Sequence, residues 1–274
     1  MNTPNAAREL RHTPHSRTLS AGIAGRAISA ALAGALLLAL SAAPALGAAK
    51  APRPPLPESD IKAVLASVEA HRAIDAETAL AIWGYAEVGY QERQSSALLQ
   101  KVLTDAGFTV TVGVADIPPA FVAEYKQGTG GSTIGLLGEF DALPGFSQAA
   151  NPVRTPLKGR ISGHACGHHL FGTGSASAAI AIAQWLKATG TPGTVRLYGT
   201  PAEEGGGGKV YMARAGLFKD VDVVIHWHPG DTNNATQDLS LANKSAKFRF
   251  HGTPSHAAGA PDRGRSALDG VEAM

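Results

Sequence analysis

Between residues 108 and 228, short apolar runs of strand character alternate with segments of helical character. "FTVTVGV", "AFVAEYKQG" and "STIGLLGEFDALPG" are typical of strands, whereas "GTGSASAAIAIAQWLKATG" is typical of a small-residue helix that packs closely on a sheet. "GTVRLYG", "VYMARAGLF" and "DVDVVI" continue the alternation. This pattern predicts an α/β layered domain. Ligands of such domains bind in loops beyond the carboxyl ends of the strands.

Different patterns lie on either side of this region. Apolar residues recur at helical spacing from Ser59 to about Ala106, and Gly107 stands where a helix would end. From Ser245 the sequence predicts a strand, a loop and the beginning of a helix, and the chain stops within that last pattern. We therefore expect an incomplete chain, or the first part of a second domain in residues 244–274.

The N-terminal region predicts export. Basic residues precede residues 27–49, which are apolar, small and uncharged. A cleaved signal peptide over residues 1–49 explains this order. A membrane anchor is the alternative, but the strongly apolar run holds only about 14 residues against the roughly 20 that a spanning helix needs. We expect a proline-rich lead-in at residues 50–58, a catalytic domain at 59–243, and a periplasmic or secreted protein without membrane contact after cleavage.

Composition narrows the function further. A net charge of +2 is too small to indicate nucleic-acid binding, and 44% hydrophobic residues allow a packed core. Cys166 is the only cysteine, so it cannot form a disulfide within the chain. It is therefore either buried and inert, or present for its sulfur chemistry.

Cys166 lies in "GHACGHH" between two histidines. His164, Cys166 and His168 alternate, so in an extended segment their side chains would point the same way. A thiolate and an imidazole two positions apart suit a divalent ion such as Zn²⁺. A buried structural cysteine and a nucleophilic cysteine, with His164 or His168 as its base, are the alternatives.

Three further motifs follow strands. "PAEEGGGG" carries Glu203 and Glu204, which on an extended backbone would point in opposite directions, so one can bind a metal while the other acts as general base. The glycine run is not a phosphate-binding loop, because the residue five positions before Lys209 is a glutamate and the residue after it is valine. "VIHWHP" places two imidazoles, His226 and His228, on one face at the end of its strand. "EFDALP" likewise places two carboxylates, Glu139 and Asp141, on one face at the end of its own strand.

Together "GEFDALPG", "GHACGHHLFGTG", "GTPAEEGGGGK", "WHPGD" and "HGTPSHAAGAPDRGRSALD" resemble the metal-dependent amidohydrolases and peptidases that include aminoacylase, hippuricase and carboxypeptidase G. The likeness runs from about residue 60 to the end and is strongest to the aminobenzoyl-glutamate hydrolase group. It implies a three-layer catalytic domain with a mixed sheet and helices on both faces, followed by the beginning of an inserted α+β lid or dimerisation domain. It also implies two divalent ions, Zn²⁺ or Mn²⁺.

The resemblance further implies a role for each site residue. Cys166 would be a thiolate that bridges two ions, with His168 and Glu204 as further ligands. His226 or His228 would bind the second ion, and the form "WHPGD" favours His228. Asp141 would orient a ligating histidine. The expected catalytic groups are a general base and a lid histidine that polarises the scissile carbonyl, often across a dimer: Glu203 and His256.

Two departures from the family pattern are visible. Glu139 stands where many peptidase relatives have a histidine ligand, so this sequence follows the amidohydrolase branch. The family's last histidine ligand comes from a C-terminal segment that this chain lacks, so we expect the chain alone to bind metal incompletely and to be inactive. The expected substrate is an N-acyl amino acid, aminobenzoyl-glutamate-like compounds included, cleaved at its amide bond. A dipeptidase or carboxypeptidase, or a non-catalytic periplasmic metal-binding protein, is the alternative, and the full-length protein is expected to form a homodimer or hetero-oligomer.

Overall fold

Two helices precede the sheet in the computed structural model, which describes residues 55–235, 239 and 241–274. They are α1 (Glu58–Tyr85) and α2 (Arg93–Asp105). Residues 86–92 separate them, so the helical pattern predicted from Ser59 to Ala106 is interrupted once. Gly107 follows the end of α2 with a φ of +91°, as its predicted position after the helix requires.

The strands form a five-stranded mixed sheet and a two-stranded ribbon. The sheet order is β1-β2-β6-β3-β7, antiparallel from β1 to β6 and parallel from β6 through β3 to β7, while β4 pairs with β5. The strands are β1 (Thr109–Val112), β2 (Phe121–Gln127), β3 (Thr133–Gly138), β4 (Leu143–Pro144), β5 (Ser162–Gly163), β6 (Gly193–Gly199) and β7 (Val223–Ile225).

Helices cover both faces of the sheet. On one face α1, α2 and α3 (His168–Thr189) enclose the main core, which includes Ile82, Leu99, Leu103, Phe121, Phe140, Ile180 and Leu197. On the other face lies α5 (Gly208–Arg214), where Met212 packs in a cluster with Tyr198, and the single turn α4 (Glu203–Gly206) precedes it in the chain. The predicted α/β class, with a mixed sheet between two helical layers, is therefore confirmed.

The topology brings the candidate residues to one edge of the sheet. Strands β3, β6 and β7 run parallel, so their carboxyl ends lie on the same side. Glu139 follows β3 directly, His226 follows β7 directly, and Glu203 follows β6 after three residues. Helix α3 begins at His168. The predicted clustering of motifs at strand ends is thus what the fold produces.

The C-terminal part differs from the prediction in one respect. The strand expected from Ser245 is wrong, because no described residue pairs with residues 245–250, and a strand requires a hydrogen-bonded neighbour. A single bridge joins Thr253 to Arg265, and a 3₁₀ turn (Pro261–Arg263) precedes α6 (Ala267–Glu272). The predicted final helix is therefore present, while the domain boundary at 243/244 stays a prediction.

The predicted signal peptide lies outside the described residues, as does most of the proline-rich lead-in. Within the ranges that the structure describes, no helix is both long and apolar enough to span a bilayer.

Candidate metal centre

His168 lies between two carboxylates at the buried edge of the sheet. Its Nδ1 is 2.9 Å from Asp141 Oδ1, and its Nε2 is 2.8 Å from Glu139 Oε2. All three residues are almost fully buried. Burial alone would lower the pKa of His168, but the two carboxylates outweigh it and raise this pKa to about 10. Asp141 thus holds the ring in a fixed orientation, as predicted for a carboxylate behind a ligating histidine.

Three buried atoms at this position lack hydrogen bonds. His168 Nε2 and Glu139 Oε2 contact each other at 2.8 Å without hydrogen-bond geometry, and among the described residues neither they nor Glu204 Oε1 has a hydrogen-bond partner. Unsatisfied buried polar atoms are rare in proteins and indicate a missing partner such as an ion. An imidazole nitrogen and carboxylate oxygens are ligands for divalent transition metals. The residues present therefore fit a metal.

Two groups of possible ligand atoms share His168. One consists of Cys166, His168 and His228, and the other of Glu139, His168 and Glu203, with all ligand atoms of each group within 4.8 Å of one another. Cys166 Sγ lies 3.3 Å from His228 Nε2. Burial and the neighbouring Glu204 carboxylate raise the pKa of the Cys166 thiol to about 11, so metal binding must displace its proton.

The adjacent glutamates contact different groups, although a turn and not an extended backbone separates them. Ala202 adopts the left-handed region with a φ of 56°, and the Glu204 N–H donates to Asp141 Oδ2 at 2.9 Å. Glu203 belongs to the group around Glu139, whereas Glu204 interacts with Cys166. Burial, and then the Glu139 carboxylate, raise the pKa of Glu203, which makes the carboxylate a stronger base.

The two histidines of "HWHP" occupy different positions. His228 contacts Cys166, whereas His226 Nε2 lies 3.7 Å from Glu139 Oε1 and falls in neither ligand group. Two glycines of α3 allow this close packing. A Cβ on Gly174 would lie 2.8 Å from the Trp227 ring, and one on Gly172 would lie 2.6 Å from the Glu139 carbonyl oxygen.

Two histidines named in the sequence lie away from the cluster. His164 Nε2 contacts the Ile82 carbonyl at 3.1 Å. The chain bends at residues 165–166 and enters α3 at His168, so the segment is not extended. The expected common orientation of His164, Cys166 and His168 is therefore wrong. His256 lies exposed in the C-terminal part, where its Nδ1 accepts from the Gly259 N–H at 2.9 Å, and its catalytic role stays a prediction.

Sequence reasoning missed two residues of the site. Lys209 Nζ donates to Glu139 Oε1. Burial raises the pKa of Glu139, but His168 and Lys209 outweigh it and lower this pKa to about 2. The sequence offered one signal for Lys209, a single basic residue directly after the glycine run of "PAEEGGGG". Glu92 is the second, a fully buried carboxylate that accepts the Ala202 N–H at 2.7 Å, and it precedes α2 without any distinguishing pattern.

Comparison with known proteins agrees with this geometry. Residues 135–262 match peptidase family M20/M25/M40. The chain belongs to this family. It is 46% identical over 209 residues to a p-aminobenzoyl-glutamate hydrolase subunit of Escherichia coli K12, covering 76% of this chain and 43% of that protein. It is 32% identical over 199 residues to the Xaa-Arg dipeptidase of Mus musculus, covering 69% of this chain and 42% of the dipeptidase.

The fold agrees with a solved protein of methicillin-resistant Staphylococcus aureus, described as an aminohydrolase. The TM-score is 0.52 at 21% identity, over 60% of this chain and 42% of that one. The chain thus spans less than half the length of these relatives.

Proposed function

We propose that this protein is a metal-dependent hydrolase that cleaves the amide bond of N-acyl amino acids. One observation carries the proposal: His168, fixed by Asp141, belongs to two groups of potential metal ligands, and its Nε2 and Glu139 Oε2 have no hydrogen-bond partner among the described residues. The similarity to a p-aminobenzoyl-glutamate hydrolase subunit supports an aminobenzoyl-glutamate-like substrate. The similarity to a dipeptidase supports the alternative of a peptide substrate.

The chain's own residues have distinct parts in this reaction. Cys166, His168 and His228 would hold one ion, because the one free ring nitrogen of His168 can bind only one, and the carboxylate of Glu139 would contribute to a second ion beside it. Bound divalent ions supply Lewis acidity, which polarises a carbonyl and lowers the pKa of water. Glu203 accepts the proton of the attacking water and returns it to the leaving amine. Glu204 completes the ligands, and His256 contributes to carbonyl polarisation when a lid brings it to the site.

The ligands, the N-terminal sequence and one relative support a particular metal, location and assembly. Thiolate and imidazole ligands favour Zn²⁺, with Mn²⁺ as the alternative. The basic and apolar N-terminal residues support export to the periplasm or outside the cell. One relative is named as a subunit, which supports a hetero-oligomer, and a homodimer is the alternative.

A cysteine hydrolase is the rival that the geometry disfavours. The raised pKa of Cys166 keeps it a thiol, and its sequence-predicted bases His164 and His168 bond to Ile82 and Asp141 instead. His228 does contact the sulfur, so the experiment must separate the two mechanisms.

The test is hydrolysis of N-benzoyl-glutamate by the protein with all the sequence that its gene encodes. Activity should disappear with a chelator, return with Zn²⁺ or Mn²⁺, and fall by at least about a hundredfold in Glu203→Gln. Glu69→Gln, which changes an exposed carboxylate of α1, is the matched control. Chelator-resistant hydrolysis would overturn the proposal in favour of the cysteine mechanism. If the protein cleaved dipeptides but not N-benzoyl-glutamate, its substrates would be peptides instead of N-acyl amino acids.

A further inference from the structure

A cavity of about 530 Å³ lies against the segment that precedes Cys166. It is lined by residues of α1 and of the loop after β4, among them Trp83, Phe146, Arg154 and Arg160, and it reaches Ala165, the residue before Cys166. We call it the side pocket. Its volume lies within the range of small-molecule sites, roughly 300–1,000 Å³.

Two guanidinium groups in the side pocket are not neutralised. Arg160 donates to the Trp83 and Gly84 carbonyls at 3.3 and 2.6 Å and lies 5.5 Å from the Trp83 ring centre. These contacts fix the group but leave its charge and further N–H donors available. Arg154 is exposed, and among the residues with described positions no carboxylate pairs with either arginine. A site with two unpaired guanidiniums attracts a carboxylate.

The loop that carries Arg154 is held by its own hydrogen bonds. Ser147 Oγ donates to the Leu157 carbonyl at 3.2 Å and accepts the Leu157 N–H at 2.9 Å. The Gln148 side chain spans the loop, donating to the Val153 carbonyl at 2.6 Å and accepting the Thr155 N–H at 2.9 Å. The wall of the pocket is therefore formed before a ligand binds, which reduces the entropic cost of binding.

We propose that the side pocket binds a carboxylate of the substrate that lies apart from the scissile amide. Arg154 and Arg160 are the specificity-determining residues. The inference rests on the proposed function, because the carboxylate belongs to the proposed substrate, an N-acyl amino acid with an acidic side chain. The scissile amide must lie at the ligand groups, and Ala165, which lines the pocket, is directly bonded to Cys166 of one group. Phe146, half exposed at the pocket wall, offers an apolar surface to the rest of the ligand.

The test measures binding to the protein by calorimetry with a chelator present, so that no hydrolysis occurs. N-benzoyl-glutamate is compared with N-benzoyl-glutamine, which replaces one carboxylate by an amide. The wild type should bind the glutamate probe about tenfold more tightly or better, the range of one charge-assisted hydrogen-bonded pair. Arg160→Gln and Arg154→Gln should each remove most of this preference. Lys158→Gln removes the same charge from an exposed position of the loop outside the pocket lining and should retain the preference.

Equal binding of both probes by the wild type, or no binding of either, would overturn the inference. So would an unchanged preference in the folded Arg154→Gln protein, in which no described main-chain contact is lost. Retained preference without any hydrolysis by the metal-loaded protein would overturn the proposed function instead. The two failures are therefore distinguishable.

Discussion

Glu92 should make the stability of the protein depend on pH. Its carboxyl is fully buried, and burial, with smaller contributions from the Asp141 and Glu87 charges, raises its pKa from 4.5 to about 7. Because the folded state binds this proton more tightly than the unfolded state, the stabilisation is fully present below pH 4.5 and is lost as the pH rises through about 7. The difference between the two pKa values corresponds to about 3 kcal/mol, of which about 2.5 kcal/mol is lost between about pH 5 and pH 8.

Urea unfolding of the metal-free wild type and of Glu92→Gln, followed by circular dichroism from pH 5 to 8, measures this directly. The glutamine can still accept the Ala202 N–H but does not titrate, so the wild type should lose about 2.5 kcal/mol relative to the variant as the pH rises. Glu77→Gln, on the exposed surface of α1, is the control for the loss of a carboxyl. A wild-type-minus-variant difference that stays constant with pH would mean that Glu92 titrates alike in the folded and unfolded states, contrary to this prediction.

Three further predictions concern the ligands, the packing and the N-terminus. Asp141→Asn should weaken Zn²⁺ affinity about 10- to 100-fold, measured by competition with a chromogenic chelator, because it disturbs the hydrogen bond that orients His168; unchanged affinity would contradict this. Gly172→Ala should lower the free energy of unfolding by about 1–3 kcal/mol, because the added Cβ would meet the Glu139 carbonyl oxygen. Gly84→Ala, which has open space around it, should not lower it. Equal effects of the two substitutions would contradict the role of close packing at Gly172. Mass spectrometry of the exported protein should find about the first 49 residues removed; an intact N-terminus would contradict the signal peptide.

The sequence predicts the architecture because strand and helix periodicities are local. Alternating strand and helix patterns suffice for an α/β domain, and the parallel strands then bring Glu139, Glu203 and His226 to one edge. Periodicity does not say what covers a helix, however. Ile61 and Leu65 recur at helical spacing in α1, yet they are 46% and 62% exposed.

The site could be predicted only as far as its motifs reach. Asp141 beside His168 was predictable from a carboxylate at a strand end. The Lys209–Glu139 pair and the Glu92–Ala202 hydrogen bond join residues 70 and 110 positions apart, and no local pattern encodes such contacts. The separation of His164 from Cys166 depends on a bend at residues 165–166, and the left-handed Gly167 then starts the helix at His168; alternation along a strand anticipates neither.

Elemental analysis of bound metal shows whether His168 and Cys166 are metal ligands. The wild type, Cys166→Ser and His168→Gln are compared after loading with Zn²⁺ and dialysis, with His71→Gln, a histidine of α1 outside the site, as the control. Because His168 belongs to both ligand groups, His168→Gln should lose essentially all bound metal, Cys166→Ser should lose part or most of it, and the control should match the wild type. Metal content that is the same in all four folded proteins would contradict the account.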